Sequence, residues 1–121
     1  MGGRGSAGKS GGGGIKNNSG ASEKAVELFK EGMSGAATYG VGKVIINSSS
    51  ETSNFGTKSA GTVSNRALEK ELTNLATENG YAVSFQTVNS STTHSQRTKT
   101  NALNQYVTKK KDRVANFYKL P

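Results

Sequence analysis

The chain is short, polar and strongly basic, with 121 residues, 31% hydrophobic residues and a formal net charge of +8. That length supports one domain with a small core. The absence of Cys excludes disulfides and thiolate metal sites, and the single His cannot form a zinc site by itself. The sequence shows no long apolar run and no signal-peptide pattern, so we expect a cytoplasmic protein that uses no membrane, metal or small-molecule cofactor.

A Gly-rich segment, residues 1–20, opens the chain and contains the string GRGSAGKS at 3–10. The string matches the phosphate-binding pattern G-x-x-x-x-G-K-S/T. That pattern holds a nucleotide only where a buried strand leads into the N-terminus of a helix. Two residues precede the string and four glycines follow it, so neither element can form there. We therefore expect residues 1–20 to be a flexible tail and not a nucleotide site.

The same opening, MGGRGSAGKSGGGG, resembles small proteins of prophages and mobile elements in Gram-positive bacteria, many of which begin Met-Gly-Gly-Arg-Gly. The resemblance covers only the tail. It implies a phage or mobile-element setting, and it implies neither a fold nor a site residue for the rest of the chain.

The first predicted helix covers residues 22–33. Ser22 is a suitable N-cap, and Val26, Phe29 and Met33 recur behind it at helical spacing. Two glycines are expected to end this helix: Gly32 and Gly35.

The first predicted strand is the β-branched stretch at residues 39–46. The polar run NSSSETSN that follows it predicts a loop. Residues 55–63 predict a weak partner strand.

The second predicted helix covers residues 64–80, closed by Gly80 and capped by Ser64 or Asn65. Its apolar face is formed by leucines: Leu68, Leu72 and Leu75. Two acidic residues on this helix, Glu69 and Glu71, cannot act together as catalytic carboxylates. Residues two apart on a helix point about 200° away from each other.

Alternation of apolar and polar residues at 81–88 predicts the second strand. The polar run NSSTTHSQRTKT then predicts a loop, in which His94 has no acid or nucleophile spaced to orient it. The chain is predicted to end in a third, amphipathic helix. Its apolar stripe contains six residues: Leu103, Tyr106, Val107, Val114, Phe117 and Tyr118.

Two Asn-Ser-Ser runs, at residues 47–49 and 89–91, follow the two predicted strands. If the second helix joins neighbouring parallel strands, both runs meet at the edge of the sheet where ligands bind. Arg97 and Lys99, together with Lys58, would then lie beside a cluster of hydroxyls suited to phosphate. If the strands instead pair antiparallel through the weak partner strand, the runs are separated and form solvated turns.

Positive charge is concentrated in residues 81–121, which carry seven basic residues against one Asp. A basic helix in this region could follow a phosphate backbone, and the alternative is a solvated face without a partner. We predict that nucleic acid or an acidic partner binds at six residues: Arg97, Lys99, Lys109, Lys110, Lys111 and Arg113.

The sequence thus predicts one α+β domain at residues 21–121, behind a disordered tail at residues 1–20. Its small sheet of two to three strands is packed by three helices in the order α-β-α-β-α. We expect no enzymatic activity. In a phage setting, the expected function is binding of nucleic acid or a nucleoprotein through the basic C-terminal third, as in an anti-CRISPR-like inhibitor of a host defence nuclease. The alternative is a virion or head-assembly component that contacts a phage head protein through its tail and basic helix.

Overall fold

The computed structural model of the chain describes residues 15–97 and 103–121, and the side chains of Arg97 and Leu103 lie outside that description. Its elements are helices α1 (Glu23–Tyr39) and α2 (Arg66–Glu78) and strands β1 (Val41–Asn54), β2 (Tyr81–Arg97) and β3 (Leu103–Lys119), in the chain order α1-β1-α2-β2-β3. The predicted order α-β-α-β-α is therefore wrong, because the segment expected to form a third helix is a strand.

The three strands form one sheet in the order β1-β3-β2, in which β3 pairs antiparallel with both neighbours. Strands β1 and β2 therefore run parallel to each other with β3 between them. The register places Gly42 of β1 and Val83 of β2 opposite Phe117 of β3. A bulge at Ile46 interrupts the pairing of β1, whereas β2 pairs with β3 without a break.

Strand β3 was predicted as a helix because it is the central strand of the sheet. Val114, Ala115, Asn116 and Phe117 are all buried, so its sequence lacks the simple apolar-polar alternation of a half-exposed strand. Apolar residues on both faces of such a strand can fall three or four positions apart and imitate a helix. The predicted apolar stripe is accordingly divided between the two faces of the sheet.

Strands β1 and β2 are longer than predicted. The run NSSSETSN, predicted as a loop, continues β1, and residues 89–97, also predicted as a loop, continue β2. Residues 55–63 form a loop instead of the predicted partner strand. Both polar runs adopt strand conformation because β3 supplies hydrogen-bonding backbone partners along its whole length.

Helix α1 continues past the glycines expected to end it. Gly32 is buried against the Phe117 ring, which a Cβ at that position would overlap. A Cβ on Gly42 would overlap the carbonyl oxygen of Gly32, so helix and strand meet here backbone to backbone. The helix ends at Gly40, which has a φ of 86° and donates its N–H to the oxygen of Ala36 at 2.9 Å.

Both helices pack on the same face of the sheet, which we call the covered face. Its centre is the fully buried pair Phe29 and Phe117, whose ring centroids are 5.5 Å apart, with the Tyr81 ring 5.6 Å from Phe29 in an edge-to-face arrangement. Leu72 and Leu75 of α2 complete the core. The other face, which we call the open face, carries the exposed side chains of Ile45, Val88 and Tyr118.

Residues 15–20, part of the predicted tail, lie against the end of α2. The side chain of Asn79 exchanges two hydrogen bonds with the backbone of Lys16, both 2.8 Å long. Asn18 and Ser19 donate hydrogen bonds to the carboxylate of Glu78. The rest of the predicted tail, residues 1–14, lies outside the described residues.

The strands extend well beyond the helices. A strand of 17 residues is about 55 Å long, whereas α1 with the same number of residues spans about 25 Å. Buried core residues of the sheet lie near the helices, in Val44 and Ile46 of β1 and residues 114–117 of β3. We call the extension beyond them the arm: residues 47–54, 88–97 and 103–112.

Candidate functional site

The lysine run at residues 109–111 lies on β3 and not on a helix. Successive side chains of a strand point to opposite faces, so the three lysines do not share one face, and the predicted basic helix is wrong. Lys109 and Lys111 share the covered face with Arg113, which contacts α2. Lys110 points to the open face.

The open-face lysine is paired within the sheet. The Nζ of Lys110 lies 3.9 Å from Oδ1 of Asp112, and the same oxygen accepts a 2.6 Å hydrogen bond from the hydroxyl of Ser48. Lys110 is half exposed, so this pair contributes little to stability. It nevertheless balances the local charge on that face.

Arg113 holds α2 against the sheet. Its Nε and one terminal nitrogen donate hydrogen bonds of 3.1 and 3.0 Å to the two carboxylate oxygens of Glu69. The other terminal nitrogen donates to the hydroxyl of Thr87 at 3.0 Å, and the guanidinium lies 5.9 Å from the centre of the Phe85 ring. A bidentate arginine with these additional partners is committed to the fold and is not free to bind a ligand.

Glu69 is tied to this pair from the helix side as well. Its carboxylate accepts a 3.0 Å hydrogen bond from the backbone N–H of Asn65, while the Asn65 side chain accepts from the N–H of Leu68. The hydrogen bonds from Arg113 lower the pKa of Glu69; burial opposes this effect, and the Asn65 N–H and the charge of Arg113 add to it. Glu71, which the sequence predicts to point away from Glu69, accepts a 2.8 Å hydrogen bond from the hydroxyl of Ser22.

A cleft lies next to this ion pair on the covered face of the arm. Its cavity of about 420 Å³ lies between β3, β2 and the loop after β1, and eight residues line it: Ser59, Ala60, Asn89, Ser90, Ser91, Lys109, Lys110 and Lys111. We call it the basic cleft. Residues on one face of a strand alternate, so Lys109 and Lys111 supply its cationic side chains, and Asn89 and Ser91 supply its polar side chains.

The loop at residues 55–65 forms one wall of the basic cleft. It turns back sharply at Phe55 and Gly56, which have φ values of 54° and 71°. The turn is held to the sheet by the N–H of Lys58, which donates to Ser53, and by the N–H of Gly61, which donates to Ser49. The loop therefore lies over the β1 side of the arm and leaves the β2 side open.

The two Asn-Ser-Ser runs come to the same level of the sheet, although they lie in strands and are separated by β3. Lys111 stands opposite Ser49 on one side and Asn89 on the other, and Lys110 stands between Ser50 and Ser90. The parallel interpretation predicted that the runs share one end of the sheet, and it did not anticipate a central strand between them. Asn89 and Ser91 reach the basic cleft, while Ser49 is used by the loop.

The remaining predicted site residues are not brought together with the lysines in the described part of the chain. Arg97 ends β2, far along the arm from the basic cleft, and Lys99 lies outside the described residues. His94 is exposed on the open face, with Nε2 3.4 Å from the hydroxyl of Thr108.

Residues 15–97 and 103–121 contain no group of three acidic, His or Cys side chains that could hold a metal ion. Within these ranges, neither α1 nor α2 has the length and hydropathy of a membrane-spanning helix. Comparisons with family models, with curated proteins and with solved structures find no match to this chain.

The sequence predicts Ser59 in a weak partner strand, and it predicts Asn89 and Ser91 either in a solvated loop or in a hydroxyl cluster beside Arg97, Lys99 and Lys58. The strand assignment of residues 103–119 instead places Asn89 and Ser91 beside Lys109 and Lys111. The period-two pattern was available in the spacing of Lys109, Lys111 and Arg113, but it becomes visible only when residues 103–119 are treated as a strand.

Proposed function

We propose that the protein binds nucleic acid by its phosphate backbone in the basic cleft. The observation that carries the proposal is the pair Lys109 and Lys111, which share one face of β3 and line a cavity with hydroxyl and amide groups. Neither lysine lies within salt-bridge distance of a carboxylate in the described ranges. Lys111 stands between Ser49 and Asn89, and Glu51 stands opposite Lys109 on the same face without forming a salt bridge to it.

The chemistry of the cleft suits phosphodiester oxygens. Lysine ammonium groups supply charge, and Ser and Asn side chains supply hydrogen-bond donors of the kind that contact phosphate and sugar. These contacts carry no base specificity, so we expect binding that depends weakly on sequence. The cavity volume falls in the range of small-ligand sites and can admit one nucleotide unit of a strand.

Arg113 is excluded from the binding surface because Glu69 and Thr87 occupy its donors. Lys110 is excluded because it lies on the opposite face beside Asp112. The binding surface is therefore smaller than the basic composition suggests, with two lysines per chain in the described part of the arm.

We expect labelled DNA or RNA oligonucleotides to bind the full-length protein with an affinity that falls as salt rises. Two phosphates neutralised on duplex DNA give a slope of about −1.8 in log K against log salt, or about a tenfold loss of affinity between 50 and 200 mM salt. Reversing both charges in Lys109→Glu with Lys111→Glu should abolish this component. Fluorescence anisotropy at several salt concentrations measures both effects.

The matched control is Lys24→Glu with Lys43→Glu, which reverses two exposed lysines that do not line the basic cleft and leaves the net charge equal to that of the first variant. The control should retain binding close to that of the natural sequence after allowance for net charge. Equal loss in the two variants would show that total charge and not the basic cleft holds the nucleic acid. Absence of binding at 50 mM salt would overturn the proposal and favour a protein partner, as in the virion-assembly alternative.

A further inference from the structure

The outer edge of β2 is a second unusual surface of the arm. In the described part of the chain β2 pairs only with β3, so the backbone N–H and C=O groups on its other edge have no strand partner. A long open edge of this kind is a template for pairing with another strand. Most folded proteins protect such an edge with charges, proline, a bulge or a covering segment.

Strand β2 lacks the usual sequence protections. From Tyr81 to Gln96 it contains no Lys, Arg, Asp, Glu or Pro, and it pairs with β3 through 17 consecutive positions without a bulge. The opposite edge differs, because β1 is bent by the bulge at Ile46 and carries Lys43 and Glu51. Only the β2 edge is both unbroken and uncharged.

The second half of β2, up to Gln96, also has no buried side chains. All side chains at residues 86–96 are exposed, so on both faces this part of the strand packs against little. A strand held by one neighbour without an apolar face is marginally stable, and a partner on its free edge would double its backbone hydrogen bonding.

We propose that two copies of this chain pair through the outer edges of β2, antiparallel, over residues 88–96. The segment is self-complementary: it consists of Val, His and small or amide polar residues, so no like charges oppose each other in an antiparallel pair. It lies in the arm, beyond Thr87 and Phe85, the β2 residues that contact the Arg113 side chain. The product is a six-stranded sheet with the order β1-β3-β2-β2-β3-β1 and a two-fold axis perpendicular to it.

This symmetry keeps the covered faces of both copies on the same side of the sheet. The two β3 strands are then three strand spacings apart, about 14 Å. The basic clefts border β2, so they lie side by side and together present four lysines: Lys109 and Lys111 of each copy. The pairing itself does not depend on nucleic acid, and it is tested in its absence.

The chain has no Cys, so a single introduced cysteine reports the pairing directly. Cysteines placed one at a time by Ser90→Cys, Ser91→Cys and Thr92→Cys should give disulfide-linked dimers under mild oxidation, most efficiently at the position nearest the two-fold axis. Ser50→Cys, which lies opposite Lys110 on the other edge of the sheet, should remain monomeric. Linkage at Ser50 as efficient as in β2 would overturn the proposal.

A charge substitution gives the second test. Ser90 and Ser50 both stand opposite Lys110, so Ser90→Lys and Ser50→Lys add the same charge beside the same neighbour on different edges. In sedimentation equilibrium the natural sequence and Ser50→Lys should dimerise, and Ser90→Lys should be monomeric with an unchanged circular dichroism spectrum. A monomeric natural sequence at every concentration, or a dimer that survives Ser90→Lys, would overturn the proposal. A monomer would leave another protein's extended segment as the partner of this edge.

Salt separates this association from nucleic-acid binding. Each copy carries a net charge of +8, so the copies repel each other and dimerisation should strengthen as salt screens that repulsion. Binding to phosphate weakens over the same range. A dimer that dissociates as salt rises would contradict pairing through an uncharged edge.

Discussion

Side chains of one type have different roles on β3 because the backbone alternates. Lys109 and Lys111 line the basic cleft, Lys110 pairs with Asp112 on the other face, and Arg113 holds α2. Charge counted along the sequence treats these four residues as one patch. Only two of them combine an accessible position with the absence of an ion-pair partner within the described ranges.

At the residue scale, Glu69→Gln should lower the free energy of unfolding by about 1.5–3 kcal/mol at pH 7. Both partners of the ion pair are mostly buried, with 15% and 20% of their side chains exposed, so the substitution leaves the Arg113 charge with little solvent. The exposed Glu27→Gln on α1 is the matched control and should change stability by less than about 0.5 kcal/mol. Urea unfolding measures both.

The same pair predicts a pH dependence. The pKa of Glu69 is lowered in the folded protein, so its contribution is complete above the unfolded pKa of about 4.3 and is lost as the pH falls through the folded value. The natural sequence should therefore lose more stability below about pH 4.3 than Glu69→Gln does. Parallel pH profiles for the two proteins would show that the ion pair does not contribute to folding.

At the element scale, the close crossing of α1 over β1 depends on glycine at the contact. Gly42→Ala places a Cβ into the Gly32 carbonyl, and because backbone cannot move aside as a flexible side chain can, we expect a loss of about 3 kcal/mol. Ser34→Ala, on the exposed side of α1, should stay within about 0.5 kcal/mol. A Gly42→Ala protein with an unchanged urea midpoint would mean that helix and strand do not meet in this way.

The elements also show what the sequence could and could not predict. Helix α2 and the first halves of β1 and β2 follow local signals: a leucine face, a β-branched run and a period of two. The extensions of β1 and β2 depend on long-range pairing with β3, in which Asn47 stands opposite Arg113, 66 residues later in the chain. Such pairing has no local signature in Ser-rich sequence. The end of α1 was predicted too early, because Gly32 and Gly35 allow close packing and do not terminate the helix.

The candidate site, like the strand extensions, could be predicted only in part, because its geometry depends on pairing with β3. The concentration of positive charge in residues 81–121 is visible in the sequence, and so is its hydroxyl-rich neighbourhood. Which lysines face which polar residues depends on the strand assignment of residues 103–119 and on a register that pairs Lys111 with Asn89. Because residues 103–119 form a strand and not the predicted helix, the candidate binding residues lie on one face of a strand and not on one face of a helix.

At the scale of the whole molecule, the hydrophobic core and the candidate binding surfaces lie in two different regions. The helix-covered half contains the core aromatic cluster of Phe29, Tyr81 and Phe117, and it supports the fold. The arm has few buried residues, and it carries both the basic cleft and the open β2 edge. Regions with few buried contacts are poor sources of stability and frequent sites of binding.

The most direct test of this account is the salt dependence of nucleic-acid binding for three single variants, Lys109→Gln, Lys110→Gln and Lys111→Gln. Each removes one charge from adjacent positions, so the variants differ in the face that the side chain occupies and in the pairing of Lys110 with Asp112. We expect Lys109→Gln and Lys111→Gln each to reduce the salt slope by about 0.9 on duplex DNA, and Lys110→Gln to leave it unchanged. Equal reductions in all three, or the largest reduction in Lys110→Gln, would contradict it.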